Sequence, residues 1–222
     1  MIDSGISEKI PDLSNYVVHS TGFDINSEGY ISENATMPVR NLHGTTVALI
    51  IRHICSDVEF ISINILDENL SSDGRVLIYA LRKVFDYKPD IIHMSLGTLK
   101  KRYIFPLSKI AKEAKRQNIH IVAASENSGE VSYPACLKNV FGVKSANFDD
   151  YMQYFYKEGF FYAPGGTEGV DSIQKIPCIK NTRGTSLSAA YISGHLARIL
   201  KDNNSISFKE TEEALIQNQL EK

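Results

Sequence analysis

Runs of apolar, β-branched residues alternate along the chain with stretches whose apolar positions recur every three or four residues. Residues 59–66 (EFISINIL), 90–97 (DIIHMSLG), 119–125 (IHIVAAS) and 139–147 (NVFGVKSAN) are of the first kind and predict strands. Residues 76–85 (VLIYALRKVF) place Leu77, Ala80, Leu81 and Val84 on one face of a helix. A second helix runs through Leu107, Ile110, Ala111 and Ala114, a third through Val47, Ile50, Ile51 and Ile54. A fourth carries Leu187, Ala190, Tyr191, Gly194 and Ala197, and a last one lies in FKETEEALIQNQL near the C-terminus. Near-continuous apolar strands alternating with helices imply a parallel sheet covered on both faces, a three-layer α/β/α arrangement. Functional sites in such folds lie beyond the C-terminal ends of the strands. Residues 14–41 and 148–183 read as long surface connections, and no internal repeat interrupts the pattern, so residues 1–222 are expected to form a single domain.

Bulk properties narrow the function classes. The chain has 222 residues, 43% hydrophobic and 23% charged, a globular composition. A net charge of −2 gives no electrostatic case for nucleic acid or for an anionic membrane, and neither is expected as a partner. No apolar run reaches membrane-spanning length. Cys55, Cys136 and Cys178 are widely separated, which suits neither a metal pair nor a disulfide framework. A reducing, cytoplasmic setting is expected, or a secreted one if a leader has been trimmed away.

Candidate chemistry begins in NTRGTSLSAAYISGHLARIL, where Ser186 follows Gly184 and Thr185 at the mouth of a helix. Thr185 or Ser186 there can cap the helix. Ser186 can also be a nucleophile, since free amides at a helix N-terminus steady an oxyanion. A serine nucleophile needs a histidine base, and the base needs an orienting carboxylate. His43, in NLHGTTVALIIRHI, opens a helix outside its apolar stripe, where it is either a surface residue or that base. Asp3, in MIDSGI, ends a short apolar stretch and is either a turn former or that carboxylate. Asn127, at the end of the IVAAS strand, is either a turn residue or a second oxyanion donor. His53 reads as surface.

These segments together resemble the subtilisin-like serine proteases. MIDSGI is similar to the family's aspartate motif, HGTTVA to its histidine motif, and GTSLSAAYISG to its serine motif. HMSLG resembles the substrate-binding strand, AASENSGEVSYPA the oxyanion-asparagine segment, and FYAPGG the Ala-Pro-Gly stretch. The matches run in order across nearly the whole chain, in the order Asp, His, Ser. The resemblance implies a subtilisin-like fold and a serine endopeptidase acting on peptides or proteins without a cofactor. It assigns Ser186 as nucleophile, His43 as general base, Asp3 as its orienting carboxylate, and Asn127 with the Ser186 amide as oxyanion hole. Ser95, Leu96 and Gly97 would pair with an extended substrate. Residues 124–129, with Ala124, Ser125 and Glu126 foremost, would wall the pocket for the side chain before the cut.

The chain also departs from the family pattern. Only Met1 and Ile2 precede Asp3, so a central strand is shortened. Glu126 stands where a glycine is usual, which would narrow the pocket or favour a basic side chain. Ala190 replaces a usual proline, and His93 replaces a usual asparagine and reads as a packed strand residue. The His43 helix runs almost directly into the 59–66 strand, so no tight calcium site is expected there. The compact form implies a peptide-processing enzyme of limited specificity. A peptide macrocyclase of the same fold and a non-catalytic binding module are the alternatives.

Overall fold

Ile2–Asp3 form a strand of only two residues, yet it lies in the middle of the sheet. The structure, a computed structural model, describes residues 1–174, 176, 183–203 and 206–219. In chain order the strands are β1 (Ile2–Asp3), β2 (Val17–Ile25), β3 (Ile31–Asn34), β4 (Phe60–Asn64), β5 (Ile91–Met94), β6 (His120–Ala124), β7 (Phe141–Ala146), β8 (Phe155–Lys157) and β9 (Phe160–Pro164). They form one sheet in the order β3-β2-β4-β1-β5-β6-β7-β9-β8. Every pairing from β2 across to β9 is parallel, and β3 and β8 close the two edges in antiparallel fashion. Ile2 pairs with Ile63 on one side and Met94 on the other, so β1 is short but fully engaged. Its side chain is completely buried, which contributes roughly 1.5–3 kcal/mol.

The helices are α1 (Pro11–Ser14), α2 (His43–Ile54), α3 (Gly74–Lys83), α4 (Ile104–Arg116), α5 (Asp171–Gln174), α6 (Thr185–Asp202) and α7 (Phe208–Gln217). One face of the sheet packs on α2, α6 and α7, and the other on α3 and α4. The positions that the periodicity assigned are all buried, those of α3 and α4 within the helices and Val84 in the turn that follows α3. In α2 burial extends beyond the expected stripe, because Gly44 through Ile51 all lie inside. His53 is exposed, and its ring lies 4.9 Å from that of Tyr151 at a tilt of 57°.

Two expectations are corrected. Residues 14–41 are not a plain connection: β2 and β3 form a hairpin there, turning at Asn26–Gly29. Its strands carry Ser, Asp, Glu and Asn on a mostly solvated edge, so apolar periodicity is weak. Residues 148–174 likewise hold β8, β9 and α5, and β9 extends the parallel sheet beside β7. Tyr154 and Phe161 are buried under it. Cys178 and the start of the NTRGTS stretch, Asn181 and Thr182, lie outside the described residues. Cys55 and Cys136 are free thiols.

Helix α7 is fastened by side chains rather than by apolar contact alone. Ser207 and Glu210 form a reciprocal cap at its start. His120 is paired with Thr211 at 3.1 Å, the Tyr154 hydroxyl donates to the Leu215 carbonyl at 2.8 Å, and Phe208 stacks on Phe141.

Candidate active site

Asp3, Ser95 and Asn127 arrive at the C-terminal edge of the sheet from three strands, β1, β5 and β6, where parallel α/β sheets build their sites. His43 and Ser186 face them from the first turns of α2 and α6.

Asp3 is fully buried, which rules out a disordered or solvated terminus. Its Oδ1 accepts from the Ser4 amide at 2.6 Å and lies 2.8 Å from His43 Nδ1. Burial alone would raise the carboxyl pKa. The facing His43 charge and its hydrogen bond, aided by the Ser95 hydroxyl and the Ser4 amide, outweigh burial and hold it below the ordinary 3.8. Burial would likewise lower His43, but the Asp3 carboxylate wins and holds it above the ordinary 6.5. His43 is only 12% exposed, so this is a protected pair rather than a surface one.

The loop after Asp3 locks α2 in place. The Ser4 hydroxyl accepts from the Gly44 amide at 3.0 Å and donates to the Asn41 carbonyl at 2.8 Å. Asn41 Oδ1 accepts the His43 amide at 2.9 Å. Thr45 Oγ1 and Ser62 Oγ take the amides of Ser7 and Ile6. The backbone approaches so closely that a Cβ on Gly44 would lie 2.5 Å from the Gly5 carbonyl oxygen and 3.0 Å from Asp3 Oδ1. The glycine after the histidine is therefore required by sterics.

Ser186 and Asn127 differ from expectation in detail. Neither Thr185 nor Ser186 caps α6. The Thr185 hydroxyl donates to the Ser125 carbonyl at 2.6 Å, and the Ser186 hydroxyl to the Ser95 carbonyl at 2.9 Å rather than to His43. The free amide of Thr185 instead donates to Asn127 Oδ1 at 2.9 Å, so the cap comes from a different loop. A backbone N–H can only donate, so this bond fixes the asparagine orientation and leaves its Nδ2 hydrogens available. Gly184 adopts φ 156°, and a Cβ there would meet Asn127 Oδ1 at 3.3 Å.

Glu126 is exposed, and its carboxylate accepts the Asn127 amide at 3.1 Å while its own amide donates to Ser132 Oγ. Ala124 and Ser125 are buried behind it. Leu96 is half-buried and Gly97 exposed, and the next residue, Thr98, exchanges two backbone hydrogen bonds with Tyr133. Tyr191, in the position beside the missing proline, is buried and donates to the Gly166 carbonyl at 3.1 Å. Within α6, Gly194 lies against Ile54 and the Ile51 carbonyl of α2. Among the described residues no cluster of His, Cys, Asp and Glu offers a metal site.

This constellation accompanies a sequence match: the subtilase family profile, Peptidase S8, fits residues 1–221. The chain belongs to the subtilase family. It is therefore a serine-type endopeptidase, and its substrates are peptides or proteins. An intracellular serine protease of Paenibacillus polymyxa is 26% identical over 230 residues, covering 94% of this chain and 68% of that protein. The minor extracellular protease Epr of Bacillus subtilis (strain 168) is 32% identical over 180 residues, or 74% of this chain and 26% of that protein. Among solved structures, sphericase superposes with a TM-score of 0.75 at 23% identity, over 97% of this chain and 80% of its own. No helix among the described residues is long and apolar enough to cross a membrane.

The sequence did not single out Ser4 or Asn41, nor Ser193, whose hydroxyl lies 2.8 Å from Nδ1 of the buried His93. The first two are polar residues adjacent to the Asp3 and His43 motifs, and that adjacency was the available signal. Ser193 lies within a small-residue helix and carried no signal of its own.

Proposed function

We propose that this subtilase cleaves peptide bonds through Asp3, His43 and Ser186 and acts as a peptide-processing protease of limited specificity. The observation that carries the reading is the buried Asp3–His43 pair at 2.8 Å beside a helix N-terminus that presents Ser186. The Asp3 carboxylate accepts from His43 Nδ1–H, leaving Nε2 unprotonated and able to act as base.

The Ser186 hydroxyl rests on the Ser95 carbonyl. An extended peptide pairing along Ser95–Gly97 would bring a backbone N–H to that carbonyl and release the hydroxyl to turn toward His43. His43 Nε2 then takes the hydroxyl proton as Ser186 Oγ bonds to the scissile carbon. The oxyanion formed is met by the Ser186 amide and Asn127 Nδ2, whose orientation the Thr185 amide holds. The C–N bond breaks as His43 gives its proton to the leaving amine. Water, deprotonated by His43, then hydrolyses the acyl-enzyme and restores the hydroxyl.

Limited specificity is supported by the pocket wall, where Glu126 places a carboxylate beside Asn127, suited to a basic side chain before the cut. A cytoplasmic location is supported by the free thiols and by the intracellular protease among the relatives. The test is product mass on a peptide panel with and without internal Lys and Arg. Fragments summing to substrate plus one water, with cuts after basic residues, are expected. A product lighter by one water than the hydrolysed one would instead identify a macrocyclase. No product from folded protein would identify a binding module.

A further inference from the structure

We propose that His93 is a positioning residue, which fixes the Ser95 hydroxyl as a donor toward Asp3 and thereby sets how strongly Asp3 holds His43. The proposal rests on the catalytic reading above but concerns a part of the molecule that reading does not use.

His93 lies inside the sheet on β5 and is 3% exposed. Both ring nitrogens are engaged: Nδ1 lies 2.8 Å from Ser193 Oγ on α6, and Nε2 lies 2.8 Å from Ser95 Oγ. Burial pushes its pKa down to about 3, so the ring is neutral, with one donor nitrogen and one acceptor. The charged groups acting on it are Asp3, the Met1 amino group and His43. On His43 the acting charge is Asp3.

Two proton arrangements are available. If Nδ1 carries the proton, it donates to Ser193, and the Ser95 hydroxyl must spend its single proton on Nε2. Asp3 then loses its help. If Nε2 carries the proton, it donates to Ser95 Oγ, and Ser193 donates to Nδ1. The Ser95 proton is then free for Asp3. The carboxylate decides between them. Asp3 Oδ2 is buried without a hydrogen-bond partner. Ile2 pairs with Met94, so Asp3 and Ser95, the next residues along, are neighbours on adjacent strands, and the Ser95 hydroxyl is among the donors that favour the Asp3 anion. A buried anion short of donors gains more from that hydroxyl than Ser193 gains from accepting. The second arrangement prevails. It makes a continuous chain from Ser193 through His93 and Ser95 to Asp3 and His43, joining α6, β5, β1 and α2.

The test uses His93→Phe, which keeps the ring and removes both nitrogens, and His93→Gln, whose amide nitrogen reaches the Nε2 position. Nitrogen NMR of the parent should place the His93 proton on Nε2; a proton on Nδ1 would overturn the proposal. In His93→Phe the Ser95 hydroxyl is released, Asp3 loses a donor, and its charge binds the His43 cation more tightly. The low-field Nδ1–H signal of His43 should then titrate at a higher pH than in the parent. The kcat should fall severalfold with KM little changed, the signature of a group that acts only in the transition state. His93→Gln should restore both. Loss of thermal stability with an unmoved His43 titration would mean that His93 only packs, and would overturn the proposal. If no variant, the parent included, turns over peptide, the catalytic reading fails, yet the His43 titration still decides the role of His93.

Discussion

The backbone amide of Thr185 donates to Oδ1 of Asn127 at 2.9 Å, across 58 residues of chain. One bond therefore caps α6 and fixes the orientation of the Asn127 side-chain amide. Removing it should separate the two roles. In Asn127→Ala, kcat on an amide substrate is expected to fall ~10²–10³-fold with KM nearly unchanged, the scale for one oxyanion donor. Stability should drop by only about 1 kcal/mol, the cost of a lost cap. Steady-state kinetics and a urea melt on the same preparation check both.

The Asp3–His43 pair gives the enzyme a defined pH response. In the proposed mechanism His43 must be neutral to act as base, and its pKa is held above 6.5, so the acid limb of kcat/KM is expected above that pH. Stability runs the other way. His43, raised on folding, contributes fully below 6.5 and loses its contribution as pH rises through the higher folded value. Asp3, lowered on folding, contributes above 3.8 and loses its contribution as pH falls through the lower folded value. The full contribution of the pair lies between those two ordinary values, so activity rises where this part of the stability declines. A kcat/KM profile set beside melts over the same pH range checks this.

Asp3→Asn should show how far the carboxylate sets the histidine tautomer. The amide would donate to Nδ1 and leave the proton on Nε2, where the base must be free. A fall of ~10⁴-fold in kcat is expected. The change is nearly isosteric, so the melting temperature should move much less than the rate.

The architecture was legible because apolar period and helix spacing agree with burial, as in α3 and α4, whose predicted faces are the buried ones. The hairpin β2–β3 was not legible, because an edge exposed to solvent needs no apolar alternation. Asp3, His43, Asn127 and Ser186 were found as residues, and the structure brings Asp3 to His43 and Asn127 to the start of α6. The resting partner of Ser186 was not legible, because which acceptor a hydroxyl rotates toward depends on a carbonyl 91 residues away. The same holds for His93, whose partners come from its own strand and from α6.

Gly44 offers a purely steric prediction. Its missing Cβ leaves room for the Gly5 carbonyl, and Gly44→Ala would put a carbon 2.5 Å from that oxygen. The backbone of α2 must shift, and His43 with it. A stability loss of about 1–3 kcal/mol is expected in a denaturant melt. A larger fractional loss of kcat should accompany it, because a small misplacement of the base is amplified in rate.

The central claim is that Ser186 is an activated nucleophile served by His43 and Asp3. The most direct measurement is intact-protein mass after treatment with a fluorophosphonate, on the parent chain and on Ser186→Ala. The expected result is a single adduct on the parent that is absent from the variant, forming more slowly in Asp3→Asn. No adduct on a parent chain shown to be folded would contradict the claim, and so would an adduct that survives in Ser186→Ala.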